Sequence, residues 1–374
     1  MTQSTFLTAR LAVAVIALLP VSIGGAQSRV SDPSPADPVD AIIRAFDQKS
    51  IVGLAEAHTL QEEHDLIVRL IRDPRFADAV PTIVVEWANA LYQDSVDRYV
   101  AGENEPKALV SRAWRNTGFS PLAPWDAPVY ERFFDVVREV NQTRPPDRRL
   151  RVVAADPPVD WSGTRQEIEV TKQRFPRDLH FFQIIDREVI GKRQKALLIF
   201  GGGHLYRHWW NPFATGSTPP NLIDLLDQKA RGSVFVIMMH TFVERDADLE
   251  SRLKAWKAPA MARLEGTWLG LRSTDPLMQT SAERGFPDGT VARAKVNAYL
   301  GLKLQDLADA YLYLGDMESL TASVPTPAFF TANPDYMQEL RRRFRLINGG
   351  ELPDSYFTQE RSRKYYQGGT PTPR

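Results

Sequence analysis

Five short apolar runs, rich in β-branched residues and bounded by turn or polar residues, constrain this chain more than any other feature: Ile51 to Leu54, Thr82 to Val85, Leu150 to Ala154, Ala196 to Phe200 and Val234 to Met239. Unbroken apolar character over so short a span is the pattern of a strand covered on both faces. Segments with helical spacing lie between them: Asp40 to Gln48, Glu62 to Arg72 with Leu66, Ile67, Leu70 and Ile71, Val129 to Val140, and Leu222 to Lys229. Strand alternating with helix predicts an α/β fold, with a central, mostly parallel sheet flanked by helices. From about Ala88 to Gln142 the chain carries helical patterns and the aromatic-rich loop SPLAPWDAPVY, with no strand among them. A helical insertion between two strands is therefore expected. AYLYLG, Ala310 to Gly315, is a further strand candidate.

The N-terminus opens MTQSTFLTAR, with Arg10 as its one charge, continues into LAVAVIALLPVSIG and reaches the small residues Gly25 and Ala26. This is the layout of a secretory signal peptide over residues 1–26, cleaved near Ala26. The apolar run is shorter than the about 20 residues that span a bilayer. A linker over 27–38, one α/β domain over 39–350 and a C-terminal tail over 351–374 complete the expected organisation. The chain has no cysteine, so neither disulfides nor a lipidated anchor are available, and a soluble secreted or periplasmic protein is expected, without stable membrane insertion. Lys plus Arg and Asp plus Glu both number 46 and no long single-sign run occurs, so there is no electrostatic footprint for nucleic acid. The oligomeric state is not legible.

In open parallel sheets ligands sit beyond the carboxyl ends of the strands, so polar residues just after each apolar run take priority. IVGLAEAH runs into Glu56 and His58, TIVVEW into Glu86, RVVAADPP into Asp156, and ALLIFGGGH into His204. Imidazole exchanges a proton near neutral pH, and a neighbouring carboxylate orients it and stabilises its cation. Glu56 and His58, two apart, share one side of an extended strand end. Glu56, His58, Glu86 and His204 are therefore the candidate catalytic set for activating water on an ester, lactone or amide. The same four residues suit a divalent metal such as manganese, cobalt, zinc or iron. Each of them is also the kind of residue that merely caps a following helix.

Substrate contacts are expected from Asp156, from Gly202 and Gly203, whose backbone can approach a ligand closely, and from Arg187 as a partner for an anionic group or for a surface acid. His208 and Trp209, with Trp210, read as a pocket wall or lid, or as packing. No HExxH signature is present; Glu62, Glu63 and His64 come nearest to it, and His64 is expected as an exposed helix residue. His180 and His240 read as core or rim histidines.

At these residues the chain resembles the superfamily that joins erythromycin esterases, Tiki-type (TraB/PrgY-like) proteases and ChaN-type haem-binding proteins. The resemblance rests on Gly53-Leu54-Ala55-Glu56-Ala57-His58, on Glu86, and on Gly201-Gly202-Gly203-His204, in that order over about Ile51 to Arg207. It implies a largely parallel α/β sheet with a helical insertion. It also implies three different activities: His58 would match the esterase base, Glu56 and His58 a metal site in the proteases, and in the ChaN type the fold binds haem. The expected function is an exported hydrolase; the rival is a haem or planar-ligand protein, with His58, His204 or His208 as axial ligand and Tyr206, Trp209 and Trp210 as walls. The chain departs from the family opening in having Leu54 and Ala55 between Gly53 and Glu56.

Overall fold

The computed structural model describes residues 30–118, 120–122, 124–209, 219–241, 246–275, 277–285 and 291–365. The signal segment at residues 1–26, Trp210 and the final GGTPTPR lie outside the described residues. A seven-stranded sheet forms the centre, in the order β3-β2-β4-β1-β5-β9-β6, and a two-stranded hairpin, β7-β8, stands apart from it. The strands are β1 (Ile51–Glu56), β2 (Thr82–Asn89), β3 (Arg151–Asp156), β4 (Ala196–Gly201), β5 (Val234–Met239), β6 (Ala260–Arg263), β7 (Gln279–Gly285), β8 (Val291–Asn297) and β9 (Ala310–Tyr313). Every pairing among the first five and β9 is parallel, and within the seven-stranded sheet β6 alone runs antiparallel, against β9. The expected mostly parallel α/β sheet is what the chain forms.

Alternation along the strands explains the two covered faces. Val52, Leu54, Ile83, Val85, Leu197 and Ile199 project to one side, onto the helices Gln61–Arg72 and Pro128–Gln142. Their neighbours Ile51, Ala55, Val84, Leu198 and Phe200 project to the other, onto the helices Arg177–Ile185 and Leu222–Lys229. With period 2 and both faces apolar, a strand reads as a continuous hydrophobic run. Gly53 leaves room for the returning chain: a Cβ there would meet Leu205 at 3.2 Å.

Strand order decides where polar ends meet. From β1 the chain moves past the place of β4 to β2 and β3, then returns through β4 and crosses to β5 on the opposite side of β1. Such a reversal opens a crevice at the carboxyl ends, here beside β2, β4 and β1. In register, Glu56 lies beside Gly201 and Leu54 beside Ile199.

The termini of the domain are more structured than the sequence suggests. Ser31 and Ala36, in the expected linker, bridge Thr267 and Met261 along the β6 edge. Leu352, Tyr356 and Phe357, in the expected tail, are buried with Phe330 and Leu340 in a small core of their own. Apolar side chains this close together remove enough surface from water to order a segment without a strand.

Candidate functional site

Glu56, the last residue of β1, is the hub. Its side chain has no exposed surface, and it receives His58 Nδ1 on Oε2, and His64 Nε2 at 3.1 Å and the Tyr130 hydroxyl at 2.9 Å on Oε1. Burial pushes this carboxyl up, but the charge of His58 and the hydrogen bonds from His58 and His64 outweigh it and hold the group at about 2. Burial pulls His58 down, yet Glu56 beside it and Glu86 beyond leave it above the ordinary histidine value. With Nδ1 committed to Glu56, Nε2 is the working nitrogen of His58, and 37% of that side chain is open to solvent.

Two features fix the His58 ring. Trp125 stands edge-on to it, centroids 4.6 Å apart. Thr59, next in the chain, has φ of 69°, a conformation that a β-branched residue adopts only under constraint. Its N–H donates to the Tyr130 hydroxyl at 3.0 Å and its carbonyl accepts from Ser323 N at 2.7 Å.

Across the crevice, Glu86 of β2 accepts from Gly201 N at 2.5 Å and from Arg177 Nη2 at 2.8 Å, with His204 Nε2 3.6 Å away. Burial raises this carboxyl, but His204, His58 and Arg177 together hold it well below its usual range. His204 donates Nδ1 to Asp178 at 2.7 Å. Burial lowers this histidine, and Asp178 and Glu86 more than reverse that, to about 9, so it is an imidazolium at neutral pH. Arg177 also holds Asp156 Oδ1 at 3.1 Å, while Asp156 Oδ2 accepts from Gly118 N. Burial dominates at Asp156 and brings it to about 6 despite Arg177 and Gly118.

Gly201 joins the two halves. A Cβ on it would lie 3.0 Å from His58 Cε1 and 3.1 Å from Glu86 Oε2, so any larger residue there displaces one of them. Gly202 is tighter still, because a Cβ would stand 2.7 Å from the Tyr206 ring, whereas Gly203 faces open space.

Glu56, His58, Glu86, Asp156 and His204 are thus brought to one rim. Arg187 is not: it is exposed and paired with Glu188, which also holds Arg151 at the start of β3, the opposite end of the sheet. His208 and Trp209 also leave the rim. After His204 the chain folds back over the sheet, Arg207 joins Asp227 and Asp309, exposed His208 lines a cleft near Lys49 and Gly232, and Trp209 packs on the second core. His64 is a correction in the other direction, since it is 2% exposed and bonded to Glu56. Its helix starts directly after the β1 loop, which turns the first helical turn inward. His180 and His240 are buried as expected, His240 bonding the Tyr311 hydroxyl at 2.6 Å.

The sequence reading missed Tyr130, Trp125, Arg177, Asp178 and the buried acid Glu63. Glu63 has no exposed surface, accepts from Ala57 N at 2.9 Å on Oε2 and leaves Oε1 without a partner among the described residues. Burial and then the charge of Glu56 push it well above the usual carboxylate range.

The donor set does not fit a divalent ion. Both oxygens of Glu56 face donors, both of Glu86 face N–H groups, and the charge balancing Glu86 and Asp156 is a guanidinium already seated between them. Among the described residues no three His, Asp or Glu side chains converge as a ligand set.

No family model matches the chain, and neither does any curated protein sequence. Solved structures do. A succinoglycan biosynthesis protein is similar with a TM-score of 0.51, at 8% identity over 76% of this chain and 94% of that one. A mutant of the erythromycin esterase EreC, in its open conformation, is similar with a TM-score of 0.47, at 11% identity over 74% of this chain and 92% of the esterase. ChaN of Campylobacter jejuni, a haem-binding protein, gives 0.36, at 13% identity over 55% of this chain and 87% of its own. What the succinoglycan biosynthesis protein shares with this chain is the fold.

Proposed function

We propose that the chain is a hydrolase of small-molecule or peptide substrates, in which His58 activates water for attack on an ester, lactone or amide carbonyl without a metal ion. The observation that carries this reading is the Glu56–His58 pair: a carboxylate fixed on Nδ1 with the Nε2 edge open, facing Glu86 across Gly201, with His204 Nε2 3.6 Å from Glu86. Nε2 takes a proton from water as its oxygen attacks the carbonyl carbon, and Glu56 stabilises the imidazolium that forms. His204 donates toward the oxyanion of the tetrahedral intermediate. Collapse breaks the bond to the leaving group, which receives the proton from His58. Tyr130 and His64 keep Glu56 ionised and aimed, and Glu86, Asp156 and Arg177 hold the opposite wall.

The test is hydrolysis of a panel of nitrophenyl esters, lactones and chromogenic peptides by the mature chain, by His58→Ala and by His204→Gln. Loss of about 10²-fold or more in either variant supports the assignment; activity unchanged in both, with unaltered folding, refutes it. The same open Nε2 edge also suits an axial haem ligand, so a second reading is haem binding without catalysis. A Soret shift on haem titration that disappears in His58→Ala, with no hydrolysis of any panel member, would favour it. We place the activity after export, on the strength of residues 1–26; N-terminal sequencing of the secreted chain would find Gln27 first.

A further inference from the structure

A cleft of about 1240 Å³ opens between the helical insertion and the helix Pro334–Asn348. Arg115 lies on its wall with its guanidinium against two rings, 5.0 Å from the centroids of Phe329 and Tyr336, which meet edge to face 6.3 Å apart. Its edge is nearly unused: Nη2 reaches Glu131 only at 3.6 Å, and Nε has no partner among the described residues. Glu131 is itself committed to Lys107 at 2.7 Å. Arg112, one helical turn earlier on the same wall, is exposed and makes no ion pair among the described residues.

The acids of the cleft are mostly spoken for. Glu339 holds Arg342 and Arg343 at 2.7 and 2.6 Å, and Asp160 accepts from the backbone and hydroxyl of Ser162 at 2.9 and 2.7 Å. Asp335 also lines the cleft and makes no ion pair among the described residues. A guanidinium held against two rings has already lost part of its rotamer freedom, and its charge and remaining donors suit the oxygens of an anionic group. Ordering costs on binding are correspondingly small.

We propose that this cleft is a second ligand site, in which Arg112 and the edge of Arg115 grip an oxyanion, a carboxylate or a phosphoryl or sulfuryl group, carried by a polar small molecule. The site stands independently of the hydrolytic reading and uses none of its residues.

Isothermal titration of the mature chain with inorganic phosphate, sulfate and citrate at low ionic strength tests it, repeated on Arg112→Ala and Arg115→Lys. Saturable binding of at least one probe is expected, weakened about tenfold by Arg115→Lys, which keeps the charge and loses the fork, and severalfold by Arg112→Ala. Selectivity for phosphate or sulfate would identify a phosphoryl or sulfuryl ligand, selectivity for citrate a carboxylate; both support the site. No saturable binding of any probe, or equal affinity in both variants, overturns it. Arg112 is exposed, so its variant tests the site even if Arg115→Lys folds poorly.

Discussion

Arg177→Met should reveal how much of the rim is held by one buried cation. Arg177 is the shared partner of Glu86 and Asp156, whose side chains are 2% and 0% exposed. Methionine has similar length and no charge, so it removes the ion pair while roughly filling the space. Breaking a buried pair from one side costs about 3–5 kcal/mol, because the orphaned charges remain in a poorly polarisable site. The cost should depend on pH in a defined sense. Asp156 already sits raised at about 6 in the folded chain, so its ionisation opposes folding and stability falls as pH rises through that value. Without Arg177 it climbs further. Above about pH 6 the deficit of the variant relative to wild type should therefore widen by about 1.4 kcal/mol per unit until the new value is passed. At pH 5 both proteins hold Asp156 protonated, and only the Glu86 bond is lost, about 1–2 kcal/mol. Urea unfolding followed by tryptophan fluorescence at pH 5 and pH 8 measures both gaps, and Asp156→Asn added to Arg177→Met should recover much of the pH 8 loss. A deficit below about 1 kcal/mol at pH 8, or one of equal size at both pH values, would show that Arg177 does not hold this wall.

If His58 is the base and His204 the cation, kcat/KM for any substrate found should rise with pH through a value above 6.5 and decline near 9; Glu56→Gln should move the rising limb downward, since the carboxylate is what lifts His58. Glu63→Gln should be tolerated or stabilising: a carboxyl raised by burial keeps its stability at low pH and loses it as pH rises, so the amide should raise the melting temperature most at pH 8. Gly202→Ala should cost about 1–3 kcal/mol through the clash with the Tyr206 ring, whereas Gly203→Ala should stay within about 0.5 kcal/mol, and melting curves of the pair decide it.

What the sequence made legible is what local pattern encodes. The apolar runs became β1 to β5 because continuous burial on both faces leaves a period-free signature, and Glu56, Glu86, Asp156 and His204 are legible because each stands at or just beyond the end of its apolar run. Their convergence was an assumption about strand order that the sheet happens to satisfy, with β3, β2, β4 and β1 side by side. The partners were out of reach for the same physical reason: Tyr130 meets Glu56 across 74 residues and Arg177 meets Glu86 across 91, so neither leaves a periodic trace. Arg187 is named from the sequence and Arg177 is not, although both are arginines on the helical stretch before β4; only the turn of that stretch decides which faces the rim. His208 and Trp209 leave the rim because the chain after the short helix Gly202–Leu205 turns back toward Arg207's partners Asp227 and Asp309.

The insertion and the C-terminal third have one role in common that neither segment shows alone. Thr59 holds a backbone angle that costs a β-branched residue about 1–3 kcal/mol, and the bonds that offset it come from Tyr130 on one side and Ser323 on the other. Tyr130 also bonds Glu56, and so ties the strained turn to the carboxylate that orients His58. Two segments distant in sequence thus grip the residue after His58 from opposite directions, while Trp125 fixes its ring from the side. An imidazole needed only for packing requires no such bracing; one that must keep a fixed edge toward a ligand does.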